Sequence, residues 1–195
     1  MVININTIEQ IHDIRNTILC NLKKTYSAIK ELLNGEDELS TFALIRFQDT
    51  SFDPIKGTPL NFIEMLNQTF SDLIVLYGAE ELIKKHPGHT FTVRLGAQSG
   101  YDIESDDGSI VGECFAVTKI SSNKKLKKDV QKLMSLGENV QKYIVFYSET
   151  DTDEKVCNYI MNNCGITYIR VNKFAKWSLE ETNGIYVFYH SSNNI

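Results

Sequence analysis

The sequence is poor in the residues that usually mark linkers, disulfide frameworks and membrane segments. Its 195 residues include only three prolines and 11 glycines, which argues against low-complexity linkers. The four cysteines form no CxxC pair, so buried free thiols in a reducing environment are favoured over disulfides or a zinc site. No run approaches the roughly 20 apolar residues of a membrane span, and the first residues lack a secretory-signal pattern. We therefore expect a cytoplasmic protein.

Positive charge is also scarce when the chain is taken as a whole. The 20 lysines and arginines against 25 acidic residues give a net charge of −5, which disfavours a uniformly basic nucleic-acid binder. The charge is unevenly spread, however. Residues 119–132 hold six lysines and one acid, a local charge of +5, which leaves −10 for the rest of the chain. A local basic surface is therefore still expected.

The chain has the composition of a globular domain, with 42% apolar and 23% charged residues. Apolar periodicity predicts helices and strands in a definite order. The helices are predicted over 7–33, 59–85, 123–136 and 153–163, and the strands over 91–95, 101–105, 110–118, 142–147, 166–171 and 185–190. An Asn6–Glu9 capping box is expected to open the first helix, and Thr58-Pro59 the second.

This order of elements favours an α/β fold. Hairpin strands followed by a crossover helix and another strand predict a central mixed sheet with helices on its faces. We expect a three-layer α/β/α sandwich, with an N-terminal helical arm over residues 1–35 and an α/β domain over 36–195. The two segments are expected to form one compact domain overall.

The most informative stretch is a predicted hairpin that brings two acidic residues together. Asp107-Gly108 is typical of a two-residue type I′ turn, which needs a positive φ at both positions. With that turn, the numbers of paired residues add to 215, so Asp102 lies opposite Glu113. Directly opposed side chains share a face, with Cβ atoms about 5 Å apart.

Two explanations of this carboxylate pair are open on the residues alone. Neighbouring buried carboxylates repel each other unless something cationic lies between them. A divalent metal would meet that need, and oxygen ligands favour Mg²⁺ or Mn²⁺ over zinc. Alternatively, Asp102 lies at a hydrated strand end and Glu113 pairs with an arginine or lysine, for which Arg94 on the preceding strand is available.

The order helix, three-stranded meander, helix, strand resembles the core of the PD-(D/E)XK nucleases, the restriction-endonuclease-like fold. The resemblance covers about residues 59–148. Asp102 matches the acid that opens the second strand of that family, and Glu113 matches the acid of its acid-x-lysine triplet. Many members add a glutamate from the preceding helix, for which Glu64 is the best match. The resemblance implies Mg²⁺-dependent (or Mn²⁺-dependent) hydrolysis of DNA, with Asp102, Glu113 and Glu64 as metal ligands.

The sequence departs from the family at the motif lysine, whose position is occupied by Phe115. A replacement is expected elsewhere, because that lysine positions the attacking water or stabilises phosphate charge. Lys119 has the strand parity of Glu113 but lies about 20 Å along the strand. Lys125, at the start of the following helix, is slightly preferred. The departure also suits a domain that has lost catalysis.

The lysine-rich helix offers a DNA-binding surface next to the hairpin. Lys124, Lys127 and Lys128 share its outer face, and we add Lys125 to this candidate DNA-binding set. Lysines attract the phosphate backbone without reading bases. The alternative is an ordinary solvated face of an amphipathic helix.

These observations predict a metal-dependent endonuclease acting on duplex DNA. The alternative is a catalytically inactive nuclease-fold module that binds DNA or another protein. Small members of the resembled family usually act as homodimers, so a dimer is expected, with the N-terminal helix as one option for its interface. Neither a recognition sequence nor a partner methyltransferase is predicted.

Overall fold

The computed structural model describes residues 1–35, 37–119, 124–148, 158, 160, 162 and 165–171, and the backbone of 179–182 and 185–188. Four helices are assigned within these residues: α1 (Ile8–Leu32), α2 (Glu38–Phe47), α3 (Phe62–Lys85) and α4 (Lys125–Met134). The strands are β1 (Val2–Ile5), β2 (Ser51–Phe52), β3 (Pro59–Leu60), β4 (Phe91–Arg94), β5 (Ile103–Ser105), β6 (Ile110–Val117), β7 (Gln141–Ser148), β8 (Ile166–Arg170), β9 (Leu179–Thr182) and β10 (Ile185–Phe188).

A six-stranded sheet with the order β1-β4-β5-β6-β7-β8 forms the centre of the fold. The pairs from β1 to β6 are antiparallel, whereas β6, β7 and β8 are parallel. The two short sheets pair β2 with β3 and β9 with β10. The predicted α/β class and the mixed central sheet are therefore confirmed.

The chain divides into two compact units. The first, which we call the sheet unit, comprises residues 1–11, 71–180 and 188–195. The second, the helical unit, comprises residues 12–70 and 181–187. The sheet unit contains all the strands of the central sheet, together with α4 and most of α3.

Helices cover both faces of the central sheet because β6 and β7 present apolar side chains in both directions. On one face, Leu126, Val130 and Leu133 of α4 join an apolar cluster with Phe115 and Phe146, whose rings are stacked 5.7 Å apart. Met134 of the same helix is exposed. On the opposite face, α3 packs against the sheet through Gly78.

Gly78 lets α3 approach the sheet closely. A Cβ atom at this position would lie 2.9 Å from the side chains of Ile103 and Val145. We expect Gly78→Val to lower the free energy of unfolding by about 2 kcal/mol, because overpacking a well-packed core costs energy of this size. Urea denaturation followed by circular dichroism measures the change. Gly137→Val is the control, because a Cβ there meets no atom within 4 Å; equal effects of the two changes would contradict the prediction.

Both predicted helix starts are displaced in the structure. Thr7 and Gln10, rather than Asn6 and Glu9, form the capping box of α1, with Gln10 Oε1 accepting the N–H of Thr7 and Thr7 Oγ1 accepting the N–H of Gln10. Pro59 does not open α3, because it pairs in β3 with Phe52. α3 begins after Asn61, whose Oδ1 accepts the N–H of Ile63.

The N-terminal segment is more than a helical arm, because β1 pairs with β4 along an edge of the central sheet. Residues 42–47, for which no element is predicted, lie in α2. Cys114 is buried and Cys20 exposed, and neither forms a disulfide. Most of the helix predicted over 153–163, together with Cys157 and Cys164, lies outside the described residues. In the part of the chain that the structure describes, no helix has the length and apolar character needed to cross a bilayer.

Candidate active site

The β5–β6 hairpin has the predicted register. Its observed pairs are Ile103 with Gly112 and Glu104 with Val111. Both pairs add to 215, so continuing the ladder by one residue places Asp102 opposite Glu113. The hairpin therefore brings the two predicted acids to neighbouring strands and the same face of the sheet.

The turn itself is not of the predicted type. Gly108 has a φ of +70°, but Asp107 does not share it, since Lys124 is the one non-glycine residue with positive φ in the described part of the chain. The Gly108 N–H donates to the Ser105 carbonyl at 3.0 Å, so the turn has four residues, from Ser105 to the left-handed Gly108. The register is as predicted because this loop, like the predicted two-residue turn, is centred between Asp107 and Gly108.

Asp102 is held by the backbone of β6. The Cys114 N–H donates to Asp102 Oδ2 at 2.7 Å, which fixes the carboxylate one residue before the start of β5. Burial raises the pKa of Asp102, while the Cys114 N–H and the charges of Lys125 and Lys132 act in the opposite direction. The site therefore holds a carboxylate whose negative charge is only partly compensated.

Glu113 is the more deeply buried acid, with 2% of its surface exposed. Burial, followed by the negative charge of Asp102, raises the pKa of Glu113 to about 7. Lys132 Nζ donates to Glu113 Oε1 and acts in the opposite direction. Glu113 thus pairs with a lysine, as the second explanation of the carboxylate pair predicted. The partner is Lys132 and not Arg94. Arg94 pairs with Glu104 at 3.1 Å.

Lys132 is the residue that sequence reasoning missed. It lies in the last turn of α4, and besides Glu113 its ammonium group contacts the carbonyl of Gly100 at 2.6 Å and the ring of Tyr101, 4.5 Å from the centroid. Lys132 follows Lys125 by seven residues, which places both on the same side of the helix. This seven-residue spacing was the signal in the sequence that could have identified Lys132.

Lys125 forms a second ion pair beside the first. Its Nζ lies 2.9 Å from Asp129 Oδ1. Burial acts to lower the pKa of Lys125, but the hydrogen bond and charge of Asp129 outweigh it and raise the pKa. Asp129 is 4% exposed, and its Oδ2 has no hydrogen-bond partner among the described residues. Lys125 also adds positive charge near Asp102.

A cleft of about 380 Å³ opens beside these residues within the sheet unit. Its polar lining includes Ser71, Asp72, Arg94, Asp102, Lys125 and Lys128. The helix acid in the cleft is Asp72, which is buried and whose Oδ1 accepts the Gly96 N–H at 2.7 Å. Glu64 instead lies in the first turn of α3, in the helical unit, with an exposed side chain. Asp72 is therefore the α3 acid that lines the cleft, and the metal-ligand role of Glu64 stays a prediction.

The other predicted residues differ in their exposure and in their partners. Lys119 is exposed two residues beyond β6, and it is Lys132 that pairs with Glu113. Phe115 is buried among apolar side chains. Lys124, Lys127 and Lys128 are exposed, whereas Lys125 is half-buried and paired.

In the described part of the chain, one group of three residues has the ligand types and spacing of a metal site. This group does not include Asp102 or Glu113. It consists of His89, Asp106 and Asp107 at the hairpin tip. Asp107 Oδ1 already accepts hydrogen bonds from the hydroxyls of Ser105 and Ser109 and from the Ser109 N–H. This carboxylate oxygen is therefore occupied in forming the turn.

Comparison of the chain with protein-family models, with curated proteins and with solved structures finds no match. The geometry of the site is therefore the basis for assigning a function.

Proposed function

We propose that the protein is a metal-dependent DNA endonuclease with a restriction-endonuclease-like fold. The observation that carries the proposal is that Asp102, one residue before β5, lies opposite Glu113 of β6 next to a lysine-lined cleft. The antiparallel β4-β5-β6 meander, flanked by α3 and α4 and joined in parallel to β7, supports the fold assignment. In this assignment Asp102 and Glu113 are the metal ligands, and Asp72 takes the place suggested for Glu64.

The residues of the site suit a hard divalent cation. Asp102 Oδ2 and Glu113 Oε1 are hydrogen-bonded, while no described residue donates to the other oxygen of either carboxylate. The negative charge of Asp102 helps to raise the pKa of Glu113, so the pair attracts a cation, and oxygen donors favour Mg²⁺ or Mn²⁺. When bound, either ion activates a water molecule and stabilises phosphate charge during hydrolysis.

The lysines of α4 have separate tasks in this proposal. Lys132 orients Glu113 and replaces the lysine that Phe115 displaces, because its ammonium group reaches the same carboxylate from the helix. Lys125, held by Asp129, and Lys128 line the cleft and attract a phosphodiester group. Catalysis then depends on a lysine from α4 instead of one from β6.

The direct test is a plasmid-nicking assay with the purified full-length chain. We expect supercoiled DNA to be converted to nicked or linear forms in Mg²⁺ or Mn²⁺ and to remain intact in EDTA. Cleavage that continues in EDTA, or is absent with both ions over a range of DNA sequences, would contradict the proposal. Loss of cleavage in Asp102→Asn and Glu113→Gln separates this activity from that of a contaminating nuclease.

The exposed lysines of α4 and of its N-cap, Lys124, give a further prediction about DNA binding. We expect the combined change of Lys124, Lys127 and Lys128 to alanine to weaken binding to all DNA sequences. It should also reduce the slope of log K against log salt by roughly 2 to 3, since each lost phosphate contact removes about 0.9.

The salt series is measured by fluorescence anisotropy in EDTA, which prevents cleavage. A matched triple variant changes the exposed lysines Lys30, Lys56 and Lys85. An equal loss in the control variant would mean that only net charge matters.

A catalytically inactive DNA-binding or protein-interaction module is the second candidate. Phe115 occupies the position of the motif lysine, and the ammonium group of Lys132 is already engaged by Glu113, Gly100 and Tyr101. An inactive site of this kind would leave the ion pair as a purely structural contact. DNA binding that weakens with salt, without cleavage in Mg²⁺ or Mn²⁺, would favour this candidate.

A further inference from the structure

The helical unit has an unusual distribution of polar and apolar side chains. Its buried polar residues include Asn21, Thr25, Thr41, Ser51 and Thr69. Five large apolar side chains between residues 26 and 47 are instead exposed: Tyr26, Leu33, Leu39, Phe42 and Phe47. Single exposed apolar residues are common, but a concentration of them on α2, in α1 and just after its end marks an interaction surface.

α2 is the clearest part of this surface. Its buried residue is Thr41, whose hydroxyl donates to the carbonyl of Leu32 in α1. Leu39, Phe42 and Phe47 are 80%, 62% and 73% exposed. Leu39 and Phe42 are three residues apart, with Arg46 four residues further, so all three lie on one side of the helix. Leu39, Phe42 and Phe47 thus face solvent, whereas Thr41 is buried and Leu44 and Ile45 are half-buried.

We propose that this apolar face of α2, with the adjacent end of α1, binds a second copy of the same chain. The charges of α2 are self-complementary about Phe42. Glu38 lies four residues before Phe42 and Arg46 four residues after it, and both are exposed. In an antiparallel pair of α2 helices related by a two-fold axis at Phe42, Glu38 of each copy lies opposite Arg46 of the other. The phenylalanines meet at the axis, with the ion pairs at the rim.

A second copy suits this face better than a lipid surface. Helices that lie on membranes carry several lysines and arginines around their apolar side. α2 has one arginine and one glutamate, and Asp37 caps its first turn. A dry apolar centre with aromatic anchors and a charged rim is the arrangement found in protein interfaces.

The first test is the oligomeric state of the full-length chain, measured by sedimentation equilibrium over a concentration series. We expect the wild type to dimerise and Phe42→Glu to raise the dimer dissociation constant by at least about 30-fold, as for an interface hot spot. Met134→Glu is the control, because Met134 is 52% exposed on α4. Circular dichroism checks that each variant is folded.

A charge exchange tests the antiparallel arrangement itself. Glu38→Arg and Arg46→Glu should each weaken the dimer by placing like charges opposite one another, and the double variant should restore it. The proposal is overturned if the wild type is monomeric at every concentration, or if Phe42→Glu dimerises as well as Met134→Glu. Failure of the double variant to recover would also overturn the proposed pairing. None of these outcomes depends on nuclease activity.

Discussion

Glu113→Gln and Asp102→Asn are each expected to reduce Mg²⁺-dependent DNA cleavage by about 10²- to 10³-fold, the loss typical of removing one electrostatic group from an active site. Both changes keep the observed hydrogen bonds, because the amide oxygen of each new side chain can still accept, from Lys132 in the first variant and from the Cys114 N–H in the second. What they remove is negative charge. The rate of plasmid nicking, measured in Mg²⁺, reports the loss directly.

The stability of Glu113→Gln should change in the opposite direction from its activity. The pKa of Glu113 is raised from its usual 4.5 to about 7, chiefly by burial. The folded state therefore binds this proton more tightly than the unfolded chain does, and its free energy of unfolding falls as the pH rises through that interval. Glutamine has no such dependence. In EDTA at pH 8 the variant should be at least as stable as the wild type.

Glu64→Gln is the matched control, since it removes a carboxylate that is exposed and does not line the cleft. It should cleave DNA at the wild-type rate. If Glu113→Gln or Asp102→Asn also cleaved at that rate, the carboxylate pair would not be the metal site. Lower activity accompanied by an equal loss of folded protein would indicate a structural defect instead.

Much of the fold follows from local sequence patterns. The strands β4 to β7 and the two long helices α1 and α3 were predicted because each buries a periodic apolar face. The errors fall where a short segment depends on its partner. β1 has four residues and exists because β4 offers a free edge. Pro59 follows a capping hydroxyl, as at a helix start, but is held in β3 by its pairing with Phe52.

The part of the candidate site that the β5–β6 hairpin forms was predictable from the sequence. Register depends on where a loop is centred, so Asp102 and Glu113 could be paired even though the turn type was wrong. Lys132 and Asp72 come from different helices and meet the site only through packing against the sheet. Lys119 and Lys125 were judged by their distance from Glu113 along the chain. Lys132 is farther along the chain, but α4 brings it to Glu113, about two helical turns after Lys125.

Lys132→Met is expected to lower kcat for DNA cleavage by about 10²-fold while leaving KM for DNA within a few-fold of the wild type. Lys132 contacts Glu113, and neither of these two residues is among those that line the cleft. Its charge therefore acts on the carboxylate and the reaction rather than on DNA binding. Lys128→Met, in the cleft lining, should mainly raise KM. Steady-state cleavage of a short duplex separates the two effects.

A purely structural role of the Lys132–Glu113 pair would give a different pattern. In that case Lys132→Met would lower the amount of folded protein, and the folded fraction would retain the wild-type kcat. Lys119→Met, which removes an exposed lysine, should leave kcat and KM unchanged in either case. The double variant with Glu113→Gln distinguishes the roles further. If the two residues act together in catalysis, their effects on kcat are far from additive, since removing Glu113 already removes what Lys132 orients.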